Sequence, residues 1–119
     1  RCRHVVTENA RVLKCVDALD ANHLIQVGEL LVQSHMSLRD DYEVSCRELD
    51  FMVDLALQQR GVLGARMTGA GFGGCTINLI EKNDVERFVE HVVVAYQNAT
   101  GIKPAMYVSS AMPGAQVFQ

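Results

Sequence analysis

Apolar positions recur along this chain first with a helical period, then with a period of two, then with a helical period again. Residues 4 to 19 carry Val5, Val12, Val16 and Leu19 at spacings of seven, four and three, one face of a helix. Glu8, Arg11 and Lys14 fall on other faces. Asp20-Ala21-Asn22 marks a turn. A second helix is predicted from about residue 22 to 36, with Leu24, Val27, Leu31 and Leu38 in one stripe and Leu30 beside it. A connection this short predicts antiparallel neighbours. Gly28 lies inside the second helix at a cost of about 1 kcal/mol relative to alanine, which points to close approach by a neighbouring helix. Ser34 to Ser45 is polar, has no clean period and predicts a bend.

Ser45-x-x-Glu48 has the spacing of a capping box. The helix it opens carries Leu49, Met52, Val53, Ala56 and Leu57, with Gly61 in the position of a C-cap glycine. The period then changes to two. Val62 to Thr68 predicts a strand with Leu63, Ala65 and Met67 on one side and Gly64, Arg66 and Thr68 on the other. Cys75 to Ile80 predicts a second, with Cys75, Ile77 and Leu79 toward the core and Thr76 and Asn78 away from it. The two most simply form an antiparallel pair. Asn83-x-x-Glu86 is a second cap signature, before a stripe of Val85, Phe88, Val89, Val92, Val93 and Tyr96. Valines are poor helix formers, so packing on a sheet must support this segment. Thr100 to Pro104 ends it. Ala105 to Ser109 and Ala115 to Phe118 read as two last short strands around the turn Met112-Pro113-Gly114. Segregated helices and antiparallel strands predict the α+β class, with helices covering one face of an antiparallel sheet.

The length of 119 residues fits one compact domain, and with 49% hydrophobic and 21% charged residues it can bury a core. A formal net charge of −3 argues against nucleic acid or an anionic membrane as a general partner. No apolar run approaches the roughly 20 residues that span a bilayer. Arg1-Cys2-Arg3-His4 leads into a helix pattern and not a signal peptide. Without an initiator methionine, the chain reads as a fragment of a longer polypeptide. Cys2, Cys15, Cys46 and Cys75 are scattered, with no C-x-x-C pair and no cysteine–histidine spacing of a zinc site. They favour free thiols in a cytoplasmic protein over disulfides, and Cys75 reads as a small buried hydrophobe.

The candidate chemistry lies between the two predicted strands. Gly69, Gly71, Gly73 and Gly74 fall within Arg66-Met67-Thr68-Gly69-Ala70-Gly71-Phe72-Gly73-Gly74-Cys75. Glycine admits positive φ and lets backbone approach a ligand. Locally, a phosphate-facing loop and a tight ligand-free turn remain equally open. Gly69, Gly71 and Gly74 satisfy G-x-G-x-x-G, but a strand follows, where a dinucleotide fingerprint requires a helix. A Walker A loop requires Lys after its last glycine, and Cys75 stands there. The strand–loop–strand context suits a protein-kinase glycine flap, yet the strand lysine, HRD and DFG are missing. An anion nest, or a wall packed against another phosphate loop, survives these exclusions. Asp40, Asp41 and Glu43 form an acidic cluster that reads as a solvated turn more readily than a cation site. His35 reads as a hydrogen-bonded structural residue.

Gly61 to Cys75 resembles the third conserved motif of the GHMP small-molecule kinases, in its galactokinase version. Ser34-His35-Met36-Ser37-Leu38-Arg39-Asp40-Asp41-Tyr42-Glu43-Val44-Ser45-Cys46, Glu48-Leu49-Asp50, Arg3-His4-Val5-Val6, Tyr107 and Pro113-Gly114 are also similar to that family. The likeness spans essentially the whole chain. Arg47 departs from it, standing where the family usually has proline. The resemblance implies the C-terminal, ferredoxin-like domain of a two-domain enzyme. Such enzymes transfer the γ-phosphoryl of ATP, with Mg²⁺, to the C1 hydroxyl of α-D-galactose. It implies that the catalytic aspartate, its neighbouring arginine, the main galactose contacts and the principal phosphate loop belong to the N-terminal domain. It leaves to this chain no catalytic residue and no metal ligand. Gly69, Gly71, Gly73 and Gly74 would then line the ATP-phosphate side of the cleft and buttress the N-terminal phosphate loop. Related N-acetylgalactosamine kinases and non-catalytic, galactose-responsive regulators are the alternatives. The expected partners are galactose, ATP and the N-terminal domain.

Overall fold

The computed structural model describes residues 1–115 and 117. Its elements follow in the order α1 (Cys2–Asp20), α2 (Leu24–Ser37), α3 (Arg47–Leu57), β1 (Val62–Thr68), β2 (Cys75–Ile80) and α4 (Val85–Thr100). The class is α+β, and β1 and β2 form a two-stranded antiparallel sheet. Among the described residues no helix is long and apolar enough to cross a membrane.

The register pairs Ala65 with Asn78 and Met67 with Thr76, and α3 and α4 cover the face to which Ala65 and Met67 point. Val53, Ala56, Ala65, Phe88 and Val92 form the main core there, with Met52, Val62, Ile80 and Val89 packed around it. This burial is what makes a valine-rich α4 helical. The helix stops at Gly101 in the left-handed region (φ +74°), as its sequence predicts. Gly64, Arg66 and Thr68 pair with Leu79, Ile77 and Cys75 on the opposite face. Only the Leu79 end of that face is covered, by the smaller cluster of Ala18, Val27 and Leu30. The expectation that Cys75, Ile77 and Leu79 all face the core is therefore corrected. Cys75 is exposed and Ile77 is 54% exposed. The register sets their face opposite Ala65 and Met67, a relation that alternation within one strand cannot fix.

Helices α1 and α2 are antiparallel. His4, at the start of α1, hydrogen bonds Ser37 at the end of α2 (3.0 Å), and Ser34 donates to Glu8 (2.7 Å). The predicted stripe of α1 is not the face it turns inward, which is His4, Glu8, Arg11, Cys15 and Ala18, so the placing of Glu8 and Arg11 on other faces is corrected. Val5, Val12, Val16 and Leu19 stay about half exposed, while His4 and Ala18 are buried. Gly28 does permit a close approach, but by a strand and not a helix. A Cβ on Gly28 would collide with the Leu63 carbonyl, and one on Gly64 with the backbone of Gly28. So α2 lies backbone-to-backbone against β1, over the face to which Gly64 points.

Both predicted capping boxes fail. The N-cap of α3 is Cys46 without a side-chain cap bond, because the Ser45 hydroxyl donates to Asp50 instead (2.6 Å). The N-cap of α4 is Asp84, preceded by a short 3₁₀ turn over Lys82–Asp84 that takes up Asn83. Helix α3 ends at Leu57 with Gln58 as its C-cap, so Gly61 (φ +81°) turns the chain into β1 and does not cap the helix. Residues Ala105 to Ser109 form no strand: residues 102–115 run without ladder bonds, and Met106 packs at the margin of the main core. The last predicted strand, Ala115 to Phe118, falls on positions 116 and 118, outside the described residues.

Candidate functional site

The glycine stretch is the connection between β1 and β2. Five of its six residues from 69 to 74 have positive φ: Gly69 (+80°), Gly71 (+87°), Phe72 (+58°), Gly73 (+133°) and Gly74 (+100°). A run of this kind aims successive backbone N–H groups toward one side. The residues from Thr68 to Cys75 line a shallow open hollow of about 620 Å³. Among the described residues the Phe72 amide donates to the Val44 carbonyl (2.8 Å) and the Gly71 amide closes the turn at Gly69–Ala70, while the amides of Gly69, Ala70, Gly73 and Gly74 have no hydrogen-bond partner. Chemically, this is a backbone surface that offers donors and no charge.

Gly71 has two reasons to be glycine. Its φ is positive, and a Cβ there would run into the Val44 carbonyl oxygen and lie 3.0 Å from Met67 Cε. The loop thus leans on the segment after α2. That segment is helical further than expected: α2 runs to Ser37, a π-helical turn covers Leu38–Tyr42, and the bend comes at Glu43 in the left-handed region (φ +61°). Among the described residues Glu43 and Phe72 are two of the three non-glycine residues with positive φ, and Val44 follows the first and bonds the second. Backbone strain outside glycine concentrates where a structure holds a functional loop.

A buried polar chain backs this contact. His35 is 2% exposed. Its Nδ1 accepts from the Met67 amide (3.1 Å), so the proton sits on Nε2, which faces Asp50 Oδ1 at 3.1 Å. Ser45 donates to the same oxygen (2.6 Å). Burial pushes the His35 pKa below its ordinary value; Asp50 and Asp54 oppose that shift and Arg39 adds to it. The sequence reading of His35 as structural holds. Its partners were not legible, because Met67 is 32 positions away in sequence.

The acidic cluster does not converge. Asp40 takes two bonds from Arg39 (2.8 and 3.1 Å), which holds its carboxyl below the usual range. Asp41 accepts from Ser37 (3.1 Å) and lies 3.7 Å from Arg3. Among the described residues no group of three or more His, Cys, Asp or Glu is placed to hold a metal ion. Arg66, the nearest cation in sequence, is turned away from the hollow: its Nε donates to the Met67 carbonyl (2.8 Å), and its guanidinium lies 3.6 Å from Glu8, which also pairs with Arg11.

The family model for the C-terminal domain of the GHMP kinases matches residues 15–97. A galactokinase of Clostridium beijerinckii is 51% identical over 114 residues, 96% of this chain and 29% of that protein. A galactokinase of Chloroflexus aurantiacus is 51% identical over 112 residues, 94% of this chain and 29% of that protein. The crystal structure of Lactococcus lactis galactokinase complexed with galactose superposes with a TM-score of 0.81 at 48% identity, covering 85% of this chain and 26% of that one. The chain therefore spans less than a third of the length of the relatives it matches.

Proposed function

Because the chain belongs to the GHMP kinases, as their C-terminal domain, we propose that it is one domain of a longer, two-domain galactokinase. The complete enzyme transfers the γ-phosphoryl of ATP to the C1 hydroxyl of α-D-galactose. The hydroxyl oxygen forms the new P–O bond, the β–γ bridge breaks, and ADP and galactose 1-phosphate leave. The observation that carries this reading is the 51% identity to a galactokinase over 96% of the chain. A cytoplasmic location goes with it.

In this reading Gly69, Gly71, Gly73 and Gly74 form a wall on the ATP-phosphate side of the cleft. The free amides of Gly69, Gly73 and Gly74 suit an anion, and the empty space beside them leaves room for one. Phosphoryl transfer needs positioning and charge stabilisation. The loop supplies the first through fixed N–H groups. It has no cationic side chain for the second, so that part belongs to the N-terminal domain. Magnesium enters as the MgATP substrate.

The test is galactose-dependent ADP formation by the complete polypeptide, with N-acetylgalactosamine as the competing acceptor, and by the 119-residue chain alone. The proposal expects turnover with galactose in the first case and none in the second. Preference for N-acetylgalactosamine, sugar binding without turnover, or robust activity of the short chain would each overturn it.

A further inference from the structure

The amide of Met67 is the last outward-facing donor of β1 before the glycine loop. Met67 sits opposite Thr76 in the register, yet its N–H points away from β2, to His35 Nδ1 at 3.1 Å. From His35 the contacts run to Asp50 (3.1 Å) and from Asp50 to Ser45 (2.6 Å). Ser45 follows Val44, whose carbonyl accepts the Phe72 amide at 2.8 Å and abuts Gly71. The base of the loop at Met67 and its tip at Phe72 are therefore joined through one closed circuit: His35 on α2, Asp50 on α3, Ser45 in the segment between them, and the backbone of Val44.

We propose that His35 is a positioning residue for the glycine loop: as a neutral imidazole bonded to both Met67 and Asp50, it locks the base of the loop to its tip and so sets the amides that face the ATP phosphates. The kinetic part of this proposal rests on the galactokinase reading; the coupling of base to tip does not. The neutral form is essential to the arrangement. An imidazolium would turn an N–H of Nδ1 against the N–H of Met67, leaving a buried amide without an acceptor. The charged groups that face His35 are Asp50 and Asp54 on α3 and Arg39 on the π-helical turn. Their charges sum to minus one, yet burial outweighs them and keeps the ring neutral.

Three substitutions in the complete polypeptide separate this role from general support. His35→Ala removes both links. His35→Asn places an amide oxygen near the position of Nδ1 and restores the Met67 acceptor alone. Ser45→Ala cuts the circuit on the far side without touching His35. Amide hydrogen exchange should show H35A accelerating both Met67 and Phe72 by about tenfold, the worth of one lost buried hydrogen bond. S45A should accelerate Phe72 and spare Met67, and H35N should restore Met67. The strand amides of Arg66 and Ile77 should not change in any of them. Steady-state kinetics should show KM for ATP raised about tenfold in H35A and S45A, with KM for galactose unchanged. Loss of Met67 protection without any change at Phe72 would refute the circuit. Wild-type KM for ATP in both variants, with exchange altered as described, would refute its action on nucleotide. A wild-type polypeptide with no galactose-dependent turnover would instead overturn the galactokinase reading, and the exchange data would still decide the coupling.

Discussion

Adding a single methyl group to the glycine loop at two positions gives a controlled test of how the loop is held. Gly71 and Gly74 both have positive φ, +87° and +100°. Alanine at either site meets a left-handed backbone penalty of about 1–2 kcal/mol. Beyond that the sites differ. Nothing lies within 4 Å of a Cβ on Gly74, whereas a Cβ on Gly71 runs into the Val44 carbonyl. The backbone there must separate, and the Phe72–Val44 hydrogen bond (2.8 Å) is lost with it, at about 1 kcal/mol. Gly74→Ala should therefore cost about 1–2 kcal/mol and Gly71→Ala about 2–3 kcal/mol, if the loop keeps its native path. For a domain of this size each kcal/mol lowers Tm by about 3–6 °C. Thermal unfolding of the three proteins in one buffer reads the difference directly. Equal Tm values for G71A and G74A would show that the loop does not lean on Val44, and the circuit through Val44 would fall with it.

Other substitutions probe the remaining parts. Gly71→Val or Gly74→Val in the complete enzyme should impair turnover and ATP binding; wild-type kinetics with only a lowered Tm would return the loop to a plain structural turn. Gly28→Ala should destabilise the fold by at least about 2 kcal/mol, since the methyl must displace the Leu63 carbonyl of β1; an unchanged urea midpoint would contradict the close approach. Because the pKa of His35 is lowered in the folded state, the unfolded chain takes up its proton first on acidification. Its contribution to stability is complete above the ordinary histidine pKa of about 6.5 and is lost as pH falls below it toward the folded value. The Tm of the wild type should accordingly drop further between pH 7.5 and 5.5 than that of H35N; parallel curves would contradict a neutral buried ring.

The elements with two strong local signals were legible in the sequence. Val62–Thr68 and Cys75–Ile80 form strands where alternation places them, and α4 follows its valine stripe to a glycine cap. The glycine loop was legible as a strand–loop–strand connection, and its contact with Val44 was not. Signals that depend on a distant partner were misread. Ser45 has the spacing of a cap, but a carboxylate acceptor at Asp50 outcompetes the backbone amides for its hydroxyl. The alternation of residues 105–109 expresses readiness to pair, and a strand exists only where a second strand completes its ladder. Helix α1 shows the same limit: its period is helical as read, but the face it turns inward is His4, Glu8, Arg11, Cys15 and Ala18 and not the valine stripe, because Ser34 and Arg66 supply polar partners for Glu8 that the sequence pattern does not show.

The meeting of Gly28 with Gly64 has a consequence for how this fold can vary. Elsewhere in the core, a leucine exchanged for valine or methionine lets neighbouring elements drift by fractions of an ångström. Where Gly28 meets Gly64 no side chain intervenes, so at that contact there is no volume to trim. The spacing of helix and strand is a fixed datum. The loop that leaves the end of β1 inherits its position from that datum, and side-chain exchange in the hydrophobic clusters can proceed around it without moving the reference.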